Sequence, residues 1–490
     1  MRPAKFGFGT YRINTKNEEH YKSLYRAIAG GISLIDTSSN YNGGWSEVLI
    51  GNVLSDLINE NKIKRDNITL VTKGGYIQGE SYKDALNSKK NGYIFEDVVE
   101  YAEGLWHCIH PDFLNSQIAI QLNRLFPNSK ERYIDIYLLH NPEYFLGWAY
   151  NSNQITSDND IKTEFYSRIK KAFEFLEEKV KAGVIRYYGI SSNTFPANSN
   201  KYDFVSLERV LYIAENISSD HHFKYIEFPF NLIESGAYFE KNQMSDNKTL
   251  LEYAKRKKIT TIVNRPLNCM TNKGVLRLVD YKTIEYKSED LKKQIIFIAN
   301  LEDEFKNEIL PKSELETEEI RKLQKILILG LRLSENWNKF SSIEYFNDLV
   351  ENYFFPRLEF LRQYFTIHRV SENISDYLDN YIRCINLLID RIGEYYKGLA
   401  NERNLFINNT LDLFCDSKQK NLSLAQKVLL LLRSVEGIDY ILVGARKEKY
   451  TEEILQLQNE FPTDRISSYS KVMQRIKDDL IRENITKAEI

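Results

Sequence analysis

Short apolar runs and amphipathic stretches alternate along the first half of the chain. Runs at 5–10, 32–37, 68–72, 133–140, 185–191, 225–230 and 260–264 are rich in β-branched, aromatic and leucine side chains and predict strands. Between them, stretches such as EEHYKSLYRAIAGG, SEVLIGNVLSDLI, NSQIAIQLNRL, EFYSRIKKAFEFLEEKVKAG and NKTLLEYAKRKK carry the helical period. The fourth closes on lysines and Gly183, a helix stop. Seven β-then-α repeats predict a parallel sheet with helical crossovers. A closed (β/α)8 barrel needs one more.

The eighth repeat comes late. From about residue 280 to about 420 the chain is rich in Lys, Glu, Leu, Ile and Asn, with three Gly and two Pro. Leu378, Ile382, Ile385, Leu388, Ile389, Ile392 and Tyr396 recur at three- and four-residue steps, one apolar helical face. Stretches 320–333 and 343–365 read similarly, with Pro356 interrupting the second. Then LSLAQKVLLLLRS reads as a helix, IDYILVGA as strand eight and EKYTEEILQLQ as the last helix. The expected organisation is a TIM barrel interrupted by an all-α insertion. Residues 1–279 carry seven units, 280–420 the helical subdomain, 421–461 the last helix-strand-helix, and 462–490 a lysine-rich tail of weak helical character. Because a strand hands over to its helix at the catalytic end, the insertion is expected near the active-site mouth.

Composition narrows the class. The 490 residues are 42% hydrophobic and 27% charged, ordinary for a globular chain. Lys+Arg 66 against Asp+Glu 68 gives a net charge of −2, which does not call for nucleic acid or an anionic membrane surface. No apolar run is long enough for a transmembrane helix, and the first residues lack the apolar core of a secretory signal. Four scattered cysteines without a CxxC build neither a disulfide framework nor a zinc knuckle. The expectation is a soluble cytoplasmic protein.

Barrel chemistry sits where strands end. There the sequence places Asp36 and, in the following loop, Tyr41 (IDTSSNYNGGWSE), then Lys73 (LVTKGG) and His140 (YLLHNPE). Singly, each has an ordinary structural reading: a helix N-cap, a loop tyrosine, a solvated lysine, a satisfied histidine. Jointly, four ionisable groups at the ends of three successive strands are a rare coincidence. His107, Cys108 and His110 in GLWHCIHPD fit no common zinc spacing, so no metal is expected. Trp106 and His110 are instead expected to line the mouth or cap the next helix, and Trp45 either to wall a substrate pocket or to be a surface aromatic.

The stretches FGFGTYRI, IDTSSNYNGGWSEVLIG, LVTKGG, YIDIYLLHNPE, GVIRYYGISSN and YILVGAR resemble an aldo-keto reductase, over about residues 5–275 and 420–460. The resemblance implies the catalytic tetrad Asp36, Tyr41, Lys73 and His140, without substitution. Tyr41 would be the general acid, Lys73 would lower its pKa from about 10, Asp36 would hold Lys73, and His140 would direct the carbonyl. Since no side chain donates a hydride, the resemblance implies NADP(H), with NAD(H) as the other option. Cofactor contacts would fall on Thr10, Tyr11, Asp36, Ser192, Asn193, Glu227, Asn264, Arg265, Pro266, Leu267, Gly444 and Arg446, with Tyr11 also facing substrate. Glu227 stands where the family usually has Gln, and Asn264 where it has a stacking aromatic. Arg265 would compensate by reaching the pyrophosphate, and Arg446 would take the 2′-phosphate. The implied activity is NADPH-dependent reduction of an aldehyde or ketone to an alcohol, or the reverse. The alternative is a regulatory, partner-binding protein of the same fold that holds cofactor with little turnover, its partner or second copy meeting the helical insertion.

Overall fold

The computed structural model describes residues 3–482, apart from 128, 130, 153–156, 272–273, 285–287, 369 and 461–468. Of the sequence-predicted tail, Tyr469–Arg482 is described and is helical. Two compact units form, the first chiefly from residues up to Leu267 together with Gln426–Met473, the second chiefly from Asn268–Leu413.

The first unit is a closed barrel of eight parallel strands. They are β1 (Lys5–Gly9), β2 (Leu34–Asp36), β3 (Thr69–Gly74), β4 (Ile134–His140), β5 (Ile185–Ser191), β6 (Phe223–Pro229), β7 (Thr260–Asn264) and β8 (Tyr440–Val443). Strand β1 pairs with both β2 and β8, which closes the ring. Each strand is followed by a helix: α1 (Glu18–Ala29), α2 (Trp45–Asn59), α3 (Pro111–Leu125), α4 (Asp158–Lys181), α5 (Leu207–Ile217), α6 (Leu250–Lys257), α7 (Leu424–Arg433) and α8 (Glu448–Gln458). The eight-strand barrel expected from the repeat pattern is therefore present, and the eighth strand does come from the far end of the chain.

The interior is filled by Leu34, Val71, Ile136, Leu138, Ile262 and Leu442, with Tyr225 packed against them. Side chains repeat on one sheet face every two residues. Each of these strands therefore delivers one more inward side chain at its C-terminal end: Asp36, Lys73, His140, Glu227 and Asn264 follow Leu34, Val71, Leu138, Tyr225 and Ile262 by two positions. Pleat geometry alone puts the polar groups on top of the apolar plug.

Strands β5 and β6 approach very closely. A Cβ on Gly189 would lie 1.9 Å from the Tyr225 carbonyl oxygen, at a register shift between the two strands. Gly189→Ala is expected to lower unfolding free energy by about 3 kcal/mol, read from denaturant midpoints; an unchanged midpoint would refute this close approach.

An excursion between β3 and α3 carries a small antiparallel sheet of Tyr76–Gln78, Leu105–His107 and Val99–Ala102, with a helix at Glu80–Lys90. The sequence pattern gave no sign of it, because strands of three or four residues are too short to display an alternation.

The second unit opens with the hairpin Asn268–Thr271 and Gly274–Arg277 and is otherwise helical. Its longest helix, Glu372–Asp412, has 41 residues. Leu378, Ile382, Ile385, Leu388, Ile389, Ile392 and Tyr396 are all buried in that unit's core, as their spacing predicts. Pro356 interrupts the regular α-helix without ending it: the backbone stays helical from Ile343 to Ile367, with a π-turn at Val350–Phe354 just before the proline. Such a turn is a common way for a helix to absorb a local irregularity. Glu302 accepts from the Gly330 and Leu331 amides at 2.7 and 2.9 Å, capping the short helix Leu329–Asn336.

Candidate active site

Lys73 is fully buried at the C-terminal end of the barrel. Its ammonium lies 2.5 Å from Asp36 Oδ1, 3.2 Å from Glu227 Oε2 and 3.1 Å from the Thr37 carbonyl. A fourth neighbour is the Tyr41 hydroxyl, at 3.4 Å. Burial disfavours the charged lysine, but Asp36 and Glu227 more than offset this and hold its pKa above the ordinary value. The two carboxylates thus favour the charged form of Lys73 in its buried position.

The loop after β2 supplies Tyr41. It turns through three consecutive left-handed residues, Asn42, Gly43 and Gly44, with φ of 50°, 65° and 91°. Asn and Gly tolerate that region. Ser46 locks the loop by donating to the Thr10 and Ile13 carbonyls at 3.0 and 2.6 Å. Glu47 braces it from beneath: this buried carboxylate accepts from Thr72 Oγ1 and Gln121 Nε2, both at 2.8 Å, and pairs with Arg124 at 3.2 Å. The Ser-Glu pair of the loop motif is thus a mounting for Tyr41.

Burial pushes the Tyr41 phenol above its ordinary range; Lys73 pulls it down, but Asp36 and Glu227 push it up. The sequence reading expected the lysine to win. In the pocket it does not, because it faces two carboxylates and no solvent.

His140 ends β4, its ring edge-on to Tyr41 and Tyr76 with centroids 6.0 and 4.6 Å away. Nδ1 lies 2.9 Å from Ser38 Oγ, and the His140 carbonyl lies 2.7 Å from His107 Nε2. Burial, then the Lys73 charge, pushes the imidazole pKa well below its usual value, so the ring is neutral.

The remaining predicted positions divide by location. Thr10 is buried and binds the Asp36 carbonyl through its hydroxyl at 2.9 Å. Tyr11 is 62% exposed and packs edge-on against Tyr41 at 5.0 Å. Ser192 is buried, whereas Asn193 is exposed and accepts from Arg265 at 3.1 Å. Asn264 donates to Glu227 Oε1 at 2.7 Å. Arg265 sits at φ 55° and also pairs with Glu234 at 3.0 Å. Of the two residues that follow, Pro266 is buried and Leu267 half-buried. Gly444 and Arg446 are exposed after β8. Trp45 begins α2 and is 50% exposed. Trp106 is buried in the small antiparallel sheet, packed against Tyr82 and under Lys89. His110 caps α3, its Nδ1 accepting from the Asp112 amide.

Sequence reasoning passed over Ser38, Tyr76 and Glu143, and weighed His107 only as a metal ligand. Glu143 is the most telling: burial pushes its carboxyl up to about 7, and its Oε1 accepts from the Asn193 amide at 2.8 Å. Its signal was a carboxylate three residues beyond His140, in the same HNPE stretch. Among the described residues, no group of three or more His, Cys, Asp or Glu is arranged to hold a metal, and no helix is long and apolar enough to cross a membrane.

A family model for the aldo/keto reductase family matches residues 5–327. The chain belongs to the aldo/keto reductase family. The match runs past the seventh strand into the first helices of the second unit. The chain is similar to an uncharacterized oxidoreductase of Bacillus subtilis, 26% identical over 189 residues that span 39% of this chain and 45% of that protein. It is also similar to an Escherichia coli protein named NADH-specific methylglyoxal reductase, 31% identical over 145 residues, 28% of this chain and 38% of that one. The chain thus spans less than half the length of these curated relatives. Among solved structures, an aldo-keto reductase from Bacillus halodurans in its holo form aligns at TM-score 0.44 and 13% identity, over 98% of this chain and 92% of that one.

Proposed function

We propose that the barrel catalyses reduction of an aldehyde or ketone to an alcohol, or the reverse oxidation, using NADPH. The observation that carries this reading is the buried Lys73 ammonium held between Asp36 and the Tyr41 hydroxyl, beside neutral His140. A phenol with a fixed cation behind it is a proton donor whose anion is stabilised as the proton leaves.

The pocket fits an amide-bearing ring. Among the described residues Asn264 Oδ1 is a buried acceptor without a hydrogen-bond partner, and an amide offers N–H donors to fill it. Glu227, Asn264, Ser192 and Asn193 would hold a nicotinamide carboxamide, and Arg446 the 2′-phosphate. When bound, reduced nicotinamide supplies the hydride. The chain's own part is protonic and geometric. His140 hydrogen-bonds the substrate oxygen and fixes its direction, while Tyr41 gives its proton to that oxygen as negative charge develops. Lys73 stabilises the resulting phenolate, and Asp36 keeps Lys73 in place. In the oxidative direction Tyr41 takes the proton back.

Arg446→Ala is expected to weaken NADPH at least about tenfold, the loss of one charge-assisted contact, while NADH affinity stays constant. Fluorescence titration with both cofactors checks this. Equal affinities before and after substitution would remove Arg446 from the phosphate site. Carbonyl-dependent consumption of NADPH or NADH over a panel of aldehydes and ketones tests the activity itself. Binding of neither cofactor would overturn the proposal.

A further inference from the structure

Lys73 does not have one counter-ion but two. Asp36 and Glu227 come from β2 and β6, and their carboxyls interact with each other as well as with the lysine, with 4% and 2% of their side chains exposed. We propose that Glu227 is a positioning residue that shares Lys73 with Asp36, and that the two carboxyls hold one proton between them, so that Tyr41 stays in its proton-donating form. This deepens the proton-donor reading of Tyr41 above and rests on it only for its consequence in turnover.

The argument is a charge count in a dry place. One ammonium and two ionised carboxylates would leave a net negative charge buried in the barrel. Such a charge without a partner is too costly to keep, and a buried carboxylate pair answers by retaining a proton. The groups that bear on the cluster are few. Lys73, Asp36, Glu227, the neutral imidazole of His140 and the Tyr11 ring surround the phenol, and at the mouth of the flanking strands lie Thr10, Ser192, Asn264 and Gly444, none of which titrates. Asp36 responds as the count requires, its carboxyl lying well above the usual range because of burial first and the Glu227 charge second. Asn264 orients Glu227 from the other side, donating to Oε1 at 2.7 Å and leaving Oε2 for Lys73.

A single ion pair would let Lys73 act on Tyr41 with most of its field. A second carboxyl beside the cation, which ionises once the shared proton is lost, weakens that pull. The phenol then stays protonated to higher pH, and the site favours giving a proton over taking one.

The test needs neither substrate nor cofactor. The protein is labelled with ¹³C at the tyrosine ring carbon that bears the hydroxyl, and the Tyr41 signal is assigned from its loss in Tyr41→Phe. Glu227→Gln is isosteric and removes the second carboxyl, and with it the negative charge that appears there when the shared proton is lost as pH rises. The expected result is a Tyr41 titration midpoint at least about 1 pH unit lower than in the wild type. Infrared spectra at neutral pH should also show one protonated carboxyl fewer in this variant. Asp36→Asn should shift the midpoint in the same direction, which covers the case of a poorly folded Glu227→Gln. An unmoved Tyr41 midpoint in a folded variant would overturn the proposal. The oxidoreductase reading would survive that result, since it is judged by nicotinamide binding and carbonyl turnover. Where turnover is found, the alkaline limb of carbonyl reduction in Glu227→Gln should move to lower pH together with the NMR midpoint.

Discussion

Tyr41→Phe is expected to lower carbonyl reduction by about 10²- to 10⁴-fold, the usual contribution of a positioned general acid, while nicotinamide affinity stays close to that of the wild type. The substitution removes one oxygen and keeps the ring, so the edge contacts with Tyr11 and His140 are retained. Lys73 loses only its longest contact, at 3.4 Å, and keeps Asp36, Glu227 and the Thr37 carbonyl. The fold should therefore be intact and the loss confined to the chemical step. Paired measurements of turnover and cofactor fluorescence separate these. Wild-type turnover in the variant would remove Tyr41 as the donor, and equal losses of binding and turnover would show a structural role instead.

Lys73→Met carries the largest expected stability effect. Breaking a buried ion pair by removing one member costs about 3–5 kcal/mol, because the remaining charge is left uncompensated. Here two carboxylates are left. Their response to pH follows from the sign of the Asp36 shift, which is upward even with Lys73 in place. A carboxyl with a folded-state pKa above its unfolded value binds more protons when folded, so stability falls as pH rises through that interval. The penalty should be small below about pH 3, where the carboxyls of both states are largely protonated, and should grow as pH rises toward neutrality. Urea melts of wild type and variant across that range measure it. A penalty independent of pH would mean that the lysine's role is packing alone.

Much of this site was legible because barrel geometry is periodic. Once strands are assigned, inward positions recur every second residue, and Asp36, Lys73, His140, Glu227 and Asn264 each fall two residues past an apolar interior position. The eighth strand was legible for the same reason, although about 170 residues separate it from the seventh, because YILV keeps its pattern wherever the chain places it. What the sequence concealed lies where no period operates. The small sheet around Tyr76 and His107 is made of segments too short to alternate, and its contact with His140 depends on how the excursion folds back. The balance of charge at Tyr41 was concealed for a different reason. Residue types imply that Lys73 lowers the phenol, but the net direction depends on burial and on the distance of Glu227, which only coordinates supply. Trp106 and His110 are expected from the sequence to line the mouth or cap the next helix; His110 caps α3, and Trp106 packs within the small antiparallel sheet.

Transfer of deuterium from C4 of labelled NADPH to carbonyl substrates tests the central claim most directly. Mass spectrometry of the alcohol products from a panel of aldehydes and ketones is expected to find the label on the carbinol carbon with wild-type protein and to lose it with Tyr41→Phe. A protein that binds NADPH yet yields no labelled alcohol from any member of the panel would contradict the account.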